Sequence, residues 1–237
     1  MKVIPVQARS DNWMYLGETA VVDPYDAPKI DQAAKDHGAN VSCAVTPEAD
    51  VSQVTRLITT HHHFDHSGGN EAFLHPGIKV YAGSEKAPGA NVIVKDGDEF
   101  DIGDIHVKIR SASTSRTRRP ASAVSSPETR SSSPAAAASS REMHDALTKL
   151  GKLPEDTLVF NGHEYTMGSA KFGHHIEPHN EAIKRLMENA QASDCTTGKS
   201  TIGDEKQWNV FMRLDTPEAQ WDPVKVMQGL RDLKNEF

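Results

Sequence analysis

The chain of 237 residues is long enough for one large domain or two small ones with ample apolar core. Its net charge of −7 argues against nucleic acid as a general partner, while a local basic pocket for an anionic ligand remains compatible with it. Two cysteines, Cys43 and Cys195, make no disulfide framework and fit a reducing compartment, and no apolar run approaches the roughly 18 residues of a membrane span. In chain order, residues 2–8 and 13–22 alternate apolar and polar, which predicts half-buried strands. The opening Met-Lys-Val-Ile-Pro-Val reads as an edge strand rather than a signal peptide. Cytosol is therefore the expected compartment, and a mitochondrial form would need a different N-terminus. Asp23-Pro24 ends the second strand, because proline cannot donate to a ladder. Ile30, Ala33 and Ala34 give residues 27–37 a helical spacing that ends near Gly38.

Val54 to Thr59 predicts a short apolar strand, and Gly68-Gly69-Asn70 predicts a helix start where glycine lets the backbone turn closely past its neighbours. Val80–Ala82 and Ile102–Ile109 read as further strands, Met143–Leu150 as a helix, and Thr157–Asn161 as a strand. His175–Gln191 and Pro223–Phe237 read as helices.

The stretch Thr59-Thr60-His61-His62-His63-Phe64-Asp65-His66-Ser67-Gly68-Gly69-Asn70 carries the chemistry. Neutral imidazole and carboxylate are donors that Zn²⁺ and iron accept. A solvated histidine cluster needs neither an aspartate within it nor a Gly-Gly after it. By alternation His62 points away from its neighbours. Asp65 could instead cap a helix before Gly68, and His163 could be a turn histidine.

The T-H-x-H-x-D-H pattern resembles that of the metallo-β-lactamase superfamily. Within it the chain resembles glyoxalase II, the hydroxyacylglutathione hydrolase family. The further matching stretches are Asp11 to Leu16, Val22-Asp23-Pro24, Gly162-His163-Glu164-Tyr165-Thr166, Phe211-Met212-Arg213, and Asp222 through Phe237. The resemblance implies a four-layer αββα sandwich over residues 1–165 and a helical glutathione-binding domain over 166–237. It implies two Zn (or Fe or Mn) ions per chain. His61 and His63 match ligands of the first, and Asp65, His66 and His163 match ligands of the second, with Asp65 also assigned to catalysis. The implied reaction is hydrolysis of the thioester of S-D-lactoylglutathione by a metal-activated water, releasing glutathione and a 2-hydroxy acid, as in methylglyoxal detoxification. Tyr165, Arg231 and Lys234 match glutathione contacts, although a solvated surface pair is the plain alternative for Arg231 and Lys234. His174, His175 and His179 read as surface residues of the following helix. A monomer without nucleic-acid or membrane partners is expected.

Two segments depart from the family pattern. Val41–Gln53 is inserted before the metal strand and reads either as a loop or as a retained intron. Ser111–Arg141 is dominated by Ser, Ala, Arg, Thr and Pro, has no aromatic residue, and predicts an irregular, exposed stretch. With suitable codons, Ser125–Arg141 shifted by two bases spells Phe-Thr-Gly-Asp-Thr-Leu-Phe-Ile-Ala-Gly-Cys-Gly-Arg-Phe-Phe-Glu. That string resembles the family's stretch with the bridging aspartate and a basic substrate contact. A histidine ligand expected after Val107 is also missing, and His106 is a poor substitute by strand alternation. The rival readings are an impaired member of the family, a chain whose middle is out of frame, or a mononuclear-iron glutathione-persulfide dioxygenase.

Overall fold

A computed structural model of the chain describes residues 3–17, 20–38, 54–103, 105–110, 134–214 and 222–237. These residues fall into two units, 3–110 and 134–237, each with its own core. Val41–Gln53 lies outside the described residues, as does the 111–133 part of the out-of-frame stretch.

The first unit is built on a six-stranded sheet whose strands lie in chain order. They are β1 (Ile4–Gln7), β2 (Trp13–Leu16), β3 (Ala20–Val22), β4 (Arg56–Thr59), β5 (Lys79–Ala82) and β6 (Val92–Ile93). The first three run antiparallel, and β3 through β6 run parallel. The single strand expected over 13–22 is two, because the chain reverses after Gly17, whose N–H donates to the Ala20 carbonyl at 2.9 Å. Helix α1 (Ala27–His37) makes the crossover from β3 towards β4. Asp26 accepts from the Lys29 N–H at its start, and Gly38 ends it at φ 62°, a left-handed conformation cheap only for glycine. Ile30 and Ala34 on its apolar face are buried with Met14, Leu16, Val21, Leu57 and Val80.

The parallel pairing positions the site. Val22 lies opposite Ile58, so the chain leaves β3 and β4 at the same sheet edge. Beyond β4 come a short helix α2 (Phe64–Ser67) and a 3₁₀ turn (Asn70–Phe73). Gly68 and Gly69 therefore separate two short turns rather than opening one helix. The close approach is to protein backbone, since a Cβ on Gly69 would stand 2.1 Å from the Pro24 carbonyl oxygen.

The strand expected over Ile102–Ile109 is a hairpin of β7 (Glu99–Ile102) and β8 (Ile105–Lys108). Its Phe100 stacks on Tyr81 of the sheet, with ring centroids 3.9 Å apart. On the exposed side His106 is engaged by Asp101 and Glu99, away from any ligand role.

The second unit is mainly helical: α3 (Pro134–Gly151), β9 (Leu158–Val159), α4 (Thr166–Ile176), α5 (Glu181–Gln191), β10 (Ser200–Thr201), α6 (Ile202–Trp208) and α7 (Pro223–Glu236). Leu147, Phe172, Phe211 and Met227 form its core. Two expectations are corrected. The helix expected over His175–Gln191 is two helices, split at Pro178, with Asn180 capping α5 through bonds from the Ala182 and Ile183 N–H groups. Residues 134–141 are helical rather than irregular, and Ser140 is fully buried rather than exposed. Their alanines are the best helix formers and extend the helix expected from Met143.

Candidate metal centre

The three ligand-type histidines of the loop after β4 are drawn together. The His61 ring centroid lies 4.1 Å from that of His66 and 4.5 Å from that of His63. Asp65 joins them, with Oδ2 at 3.4 Å from His66 Nε2. His61 and His66 are buried, His63 is exposed and Asp65 is half-buried. His62 stands beside His63, ring centroids 5.5 Å apart.

The aim of these rings is set from behind by Asp23, which the sequence marks as a strand end within a family-matching stretch but gives no role at the site. Asp23 is buried and has φ 50°, an uncommon conformation for a residue other than glycine, tolerated best by Asp and Asn. Its Oδ1 accepts from the Thr60 N–H at 2.8 Å. Its Oδ2 accepts from the Thr60 hydroxyl at 2.6 Å and from His66 Nδ1 at 3.0 Å. Because His66 donates from Nδ1, its Nε2 carries the lone pair and faces Asp65. The same logic reaches His61. The one hydroxyl proton of Thr60 goes to Asp23, so at the 3.1 Å contact His61 Nδ1 is the donor and Nε2 is the nitrogen left with a lone pair. Asn12 adds a bond from Nδ2 to the Asp65 carbonyl at 2.7 Å, and Asn70 ties Thr59 to the Pro88 carbonyl.

Electrostatics separate the two buried rings. Burial, then the neighbouring His66 and His63 charges, push the His61 pKa down to about 4. His66 is also penalised by burial, but the hydrogen bond and charge of Asp23, with Asp65 and Asp11 behind it, raise its pKa overall. His62 is lowered by desolvation and by His63 and Lys86. A cation would relieve this frustration by replacing protons as the shared positive charge. Three imidazoles and a carboxylate with hydrogen-bonded outer partners fit a divalent transition metal.

In the second unit, His163 follows β9 and lies parallel to Tyr165, ring centroids 5.0 Å apart. Glu164 between them fixes the turn: its carboxylate accepts from the Thr196 N–H at 2.8 Å and the Thr196 hydroxyl at 2.5 Å. Asn161, His163 and Tyr165 line a cavity of about 450 Å³ whose other walls include Ser169, Trp208 and Phe211. Arg231 and Lys234 of α7 are not a solvated pair. Arg231 is 8% exposed and donates to Ser140 Oγ at 2.9 Å and Ser139 Oγ at 3.2 Å. Lys234 donates to Ser169 Oγ at 3.3 Å and lies over the Phe172 and Phe211 rings. Burial lowers the pKa of both, and among the described residues no carboxylate forms an ion pair with either. Of the three histidines expected on the surface of the following helix, His174 and His175 are in α4, the former with a buried Nδ1, and His179 lies in the turn before α5 rather than on a helix.

Comparison with known proteins gives these residues their context. The metallo-beta-lactamase superfamily matches residues 17–90, and the hydroxyacylglutathione hydrolase C-terminus matches residues 164–237. A probable hydroxyacylglutathione hydrolase of Schizosaccharomyces pombe is 34% identical, over 92% of this chain and 88% of its own.

The chain belongs to the hydroxyacylglutathione hydrolase family.

The cytoplasmic hydroxyacylglutathione hydrolase of Arabidopsis thaliana is 31% identical over 100% of this chain and 99% of its own. That of Rhodospirillum rubrum is 32% identical over 96% and 95%. The crystal structure of ETHE1 from Myxococcus xanthus superposes with a TM-score of 0.59, covering 98% of this chain and 91% of that one at 18% identity, a likeness of fold alone. With the superfamily match, it establishes the α/β sandwich class with helical C-terminal part for this hydroxyacylglutathione hydrolase family member. Membership in the superfamily implies divalent-metal binding, which the loop after β4 fits.

Proposed function

We propose that the protein hydrolyses the thioester of S-2-hydroxyacylglutathione, with S-D-lactoylglutathione the leading substrate. The observation that carries the reading is the Asp23-backed cluster of His61, His63, Asp65 and His66 in a chain of this family. His61 and His63 would hold one ion and Asp65 and His66 a second, with His163 the further ligand that the family motif implies and zinc, iron or manganese suited to the donor set. Such ions supply Lewis acidity, which lowers the pKa of water and polarises a carbonyl oxygen.

The chain's own residues do the rest. Asp23 and Thr60 keep the Nδ1 positions of His66 and His61 protonated and their Nε2 positions aimed. Water adds to the thioester carbonyl carbon and the C–S bond breaks, giving the 2-hydroxy carboxylate and glutathione thiolate, with the two protons of the water passing to solvent. A thiol of pKa about 8.5 is a good leaving group, so no strong general acid is required. Arg231 and Lys234, desolvated and without an acidic partner among the described residues, suit the carboxylates of the tripeptide. Tyr165 supplies an aromatic wall with a polar tip. The functional domains are proposed to divide at residue 165, and the protein to act as a cytosolic monomer. Among the described residues no helix is long and apolar enough to cross a membrane.

The test is release of free thiol from S-D-lactoylglutathione by the metal-loaded protein, compared with its Asp65→Ala variant. Metal-dependent release that vanishes in the variant supports the reading. Release equal in both, or oxygen uptake with glutathione persulfide in its place, overturns it.

A further inference from the structure

Between His63 and Asp65 the loop carries Phe64, and this ring is 71% exposed, more than any other large apolar side chain among the described residues. Such exposure is costly for a phenyl ring and is not the result of looseness. The Phe64 ring meets the Tyr25 ring edge to face, centroids 5.6 Å apart and planes at 85°. Arg9 covers Tyr25 from beyond, its guanidinium carbon 5.4 Å from the ring centroid. From the other side Gly68 lets the ring lie close, since a Cβ there would stand 2.9 Å from Phe64 Cε2. Tyr25 belongs to the same short segment as Asp23, which orients His66. Phe64 is thus held in place by the segment that carries Asp23, with the rest of its ring exposed, as is its neighbour His63, while Asp65 on its other side is half-buried.

We infer that Phe64 is a specificity-determining residue, forming an apolar wall for the acyl group of the substrate. The inference rests on the thioesterase reading. A thioester carbonyl placed at His63 and Asp65 would lie beside the residue that separates them in the chain. The wall favours acyl chains with an apolar portion over a bare polar one, because only the former cover the ring.

The test uses S-alkylglutathiones, thioethers that cannot be hydrolysed, so the readout is binding rather than turnover. Calorimetric dissociation constants are measured for S-methyl- and S-hexylglutathione with the full chain and its Phe64→Ala and Phe64→Trp variants. The parent is expected to bind the hexyl compound roughly tenfold more tightly than the methyl one, since apolar area on the chain and ring is buried together. In Phe64→Ala this preference should fall to about twofold or less, with S-methylglutathione binding little changed. Phe64→Trp should restore it. An undiminished preference in Phe64→Ala, or none in the parent, overturns the inference while leaving the glutathione site standing. Failure of the parent to bind either thioether removes the glutathione reading itself, and this inference with it. An exposed ring is not needed for folding, and unchanged melting temperatures in both variants confirm that the comparison is of folded protein.

Discussion

The Asp23 carboxylate accepts the Nδ1 proton of His66 at 3.0 Å, with both side chains almost wholly withdrawn from solvent. This bond fixes tautomer and ring angle together, and through Thr60 the same carboxylate governs His61. Outer partners of this kind typically matter about 10–100-fold in metal affinity. Asp23→Asn is expected to weaken zinc binding by that order, because the amide can no longer accept from Thr60 and His66 alike with both oxygens. Chelator competition on the purified variant measures it, and affinity within about twofold of the parent would show that the rings are aimed by packing alone.

The opposite shifts of His61 and His66 are directly observable in metal-free protein. In a histidine NMR titration His61 should lose its proton near pH 4 and His66 above its ordinary value of 6.5. The two act on stability with opposite sign. Between pH 6.5 and about 4 the unfolded chain takes up a proton that native His61 refuses, so the stability His61 contributes above pH 6.5 is lost as pH falls. The contribution of His66 is present below pH 6.5 and is lost as pH rises through its raised pKa. Titration of both rings near 6.5 would contradict the network drawn here.

Arg231 and Lys234 should act on binding rather than on chemistry. Arg231→Lys and Lys234→Met keep the apolar stem but lose the planar fork or the charge. Each is expected to raise KM for S-D-lactoylglutathione about tenfold while changing kcat less than about threefold, as expected for contacts made equally in ground and transition states. Tyr165→Phe should follow the same split. KM values equal to the parent's in all three variants would remove these residues from the substrate site.

The candidate metal loop is legible in the sequence because its proposed donors are local: His61, His63, Asp65 and His66 lie within a few positions after an apolar strand. Asp23 was not, because its role depends on the parallel register that sets Val22 beside Ile58, and 43 residues separate it from His66. The burial of Arg231 and Lys234 was likewise hidden, since three-residue spacing on a helix says which residues share a face but not what covers it. The helix over 134–141 was missed for a different reason. The composition argument weighs apolar surface, and alanine contributes little of that, yet alanine propagates a helix already started at Met143. The hairpin at 99–108 and the break at Gly17 were lost because alternation continues across a tight reversal.

The segment between Val107 and Met143 bears on activity most. In the family pattern a histidine after Val107 and a bridging aspartate complete the two sites, and residues 109–141 contain neither His nor Asp. With His61 and His63 alone as imidazole donors, a first ion would depend on water for most of its coordination, and affinity falls with each lost ligand. The bridging carboxylate would be the larger loss, because in the family pattern it serves both ions. The shifted reading of Ser125–Arg141 restores Gly-Asp-Thr and Gly-Cys-Gly-Arg in one stroke. Expression of the chain beside a version carrying that restored stretch should therefore show more bound metal per chain and a rise in S-D-lactoylglutathione hydrolysis of about a hundredfold or more in the restored protein, given what a two-metal clamp contributes. Metal content and thiol release are the measurements. Equal metal loading and equal turnover in both proteins would show that the residues from His61 to His66 with His163 suffice, and that the segment is dispensable to catalysis.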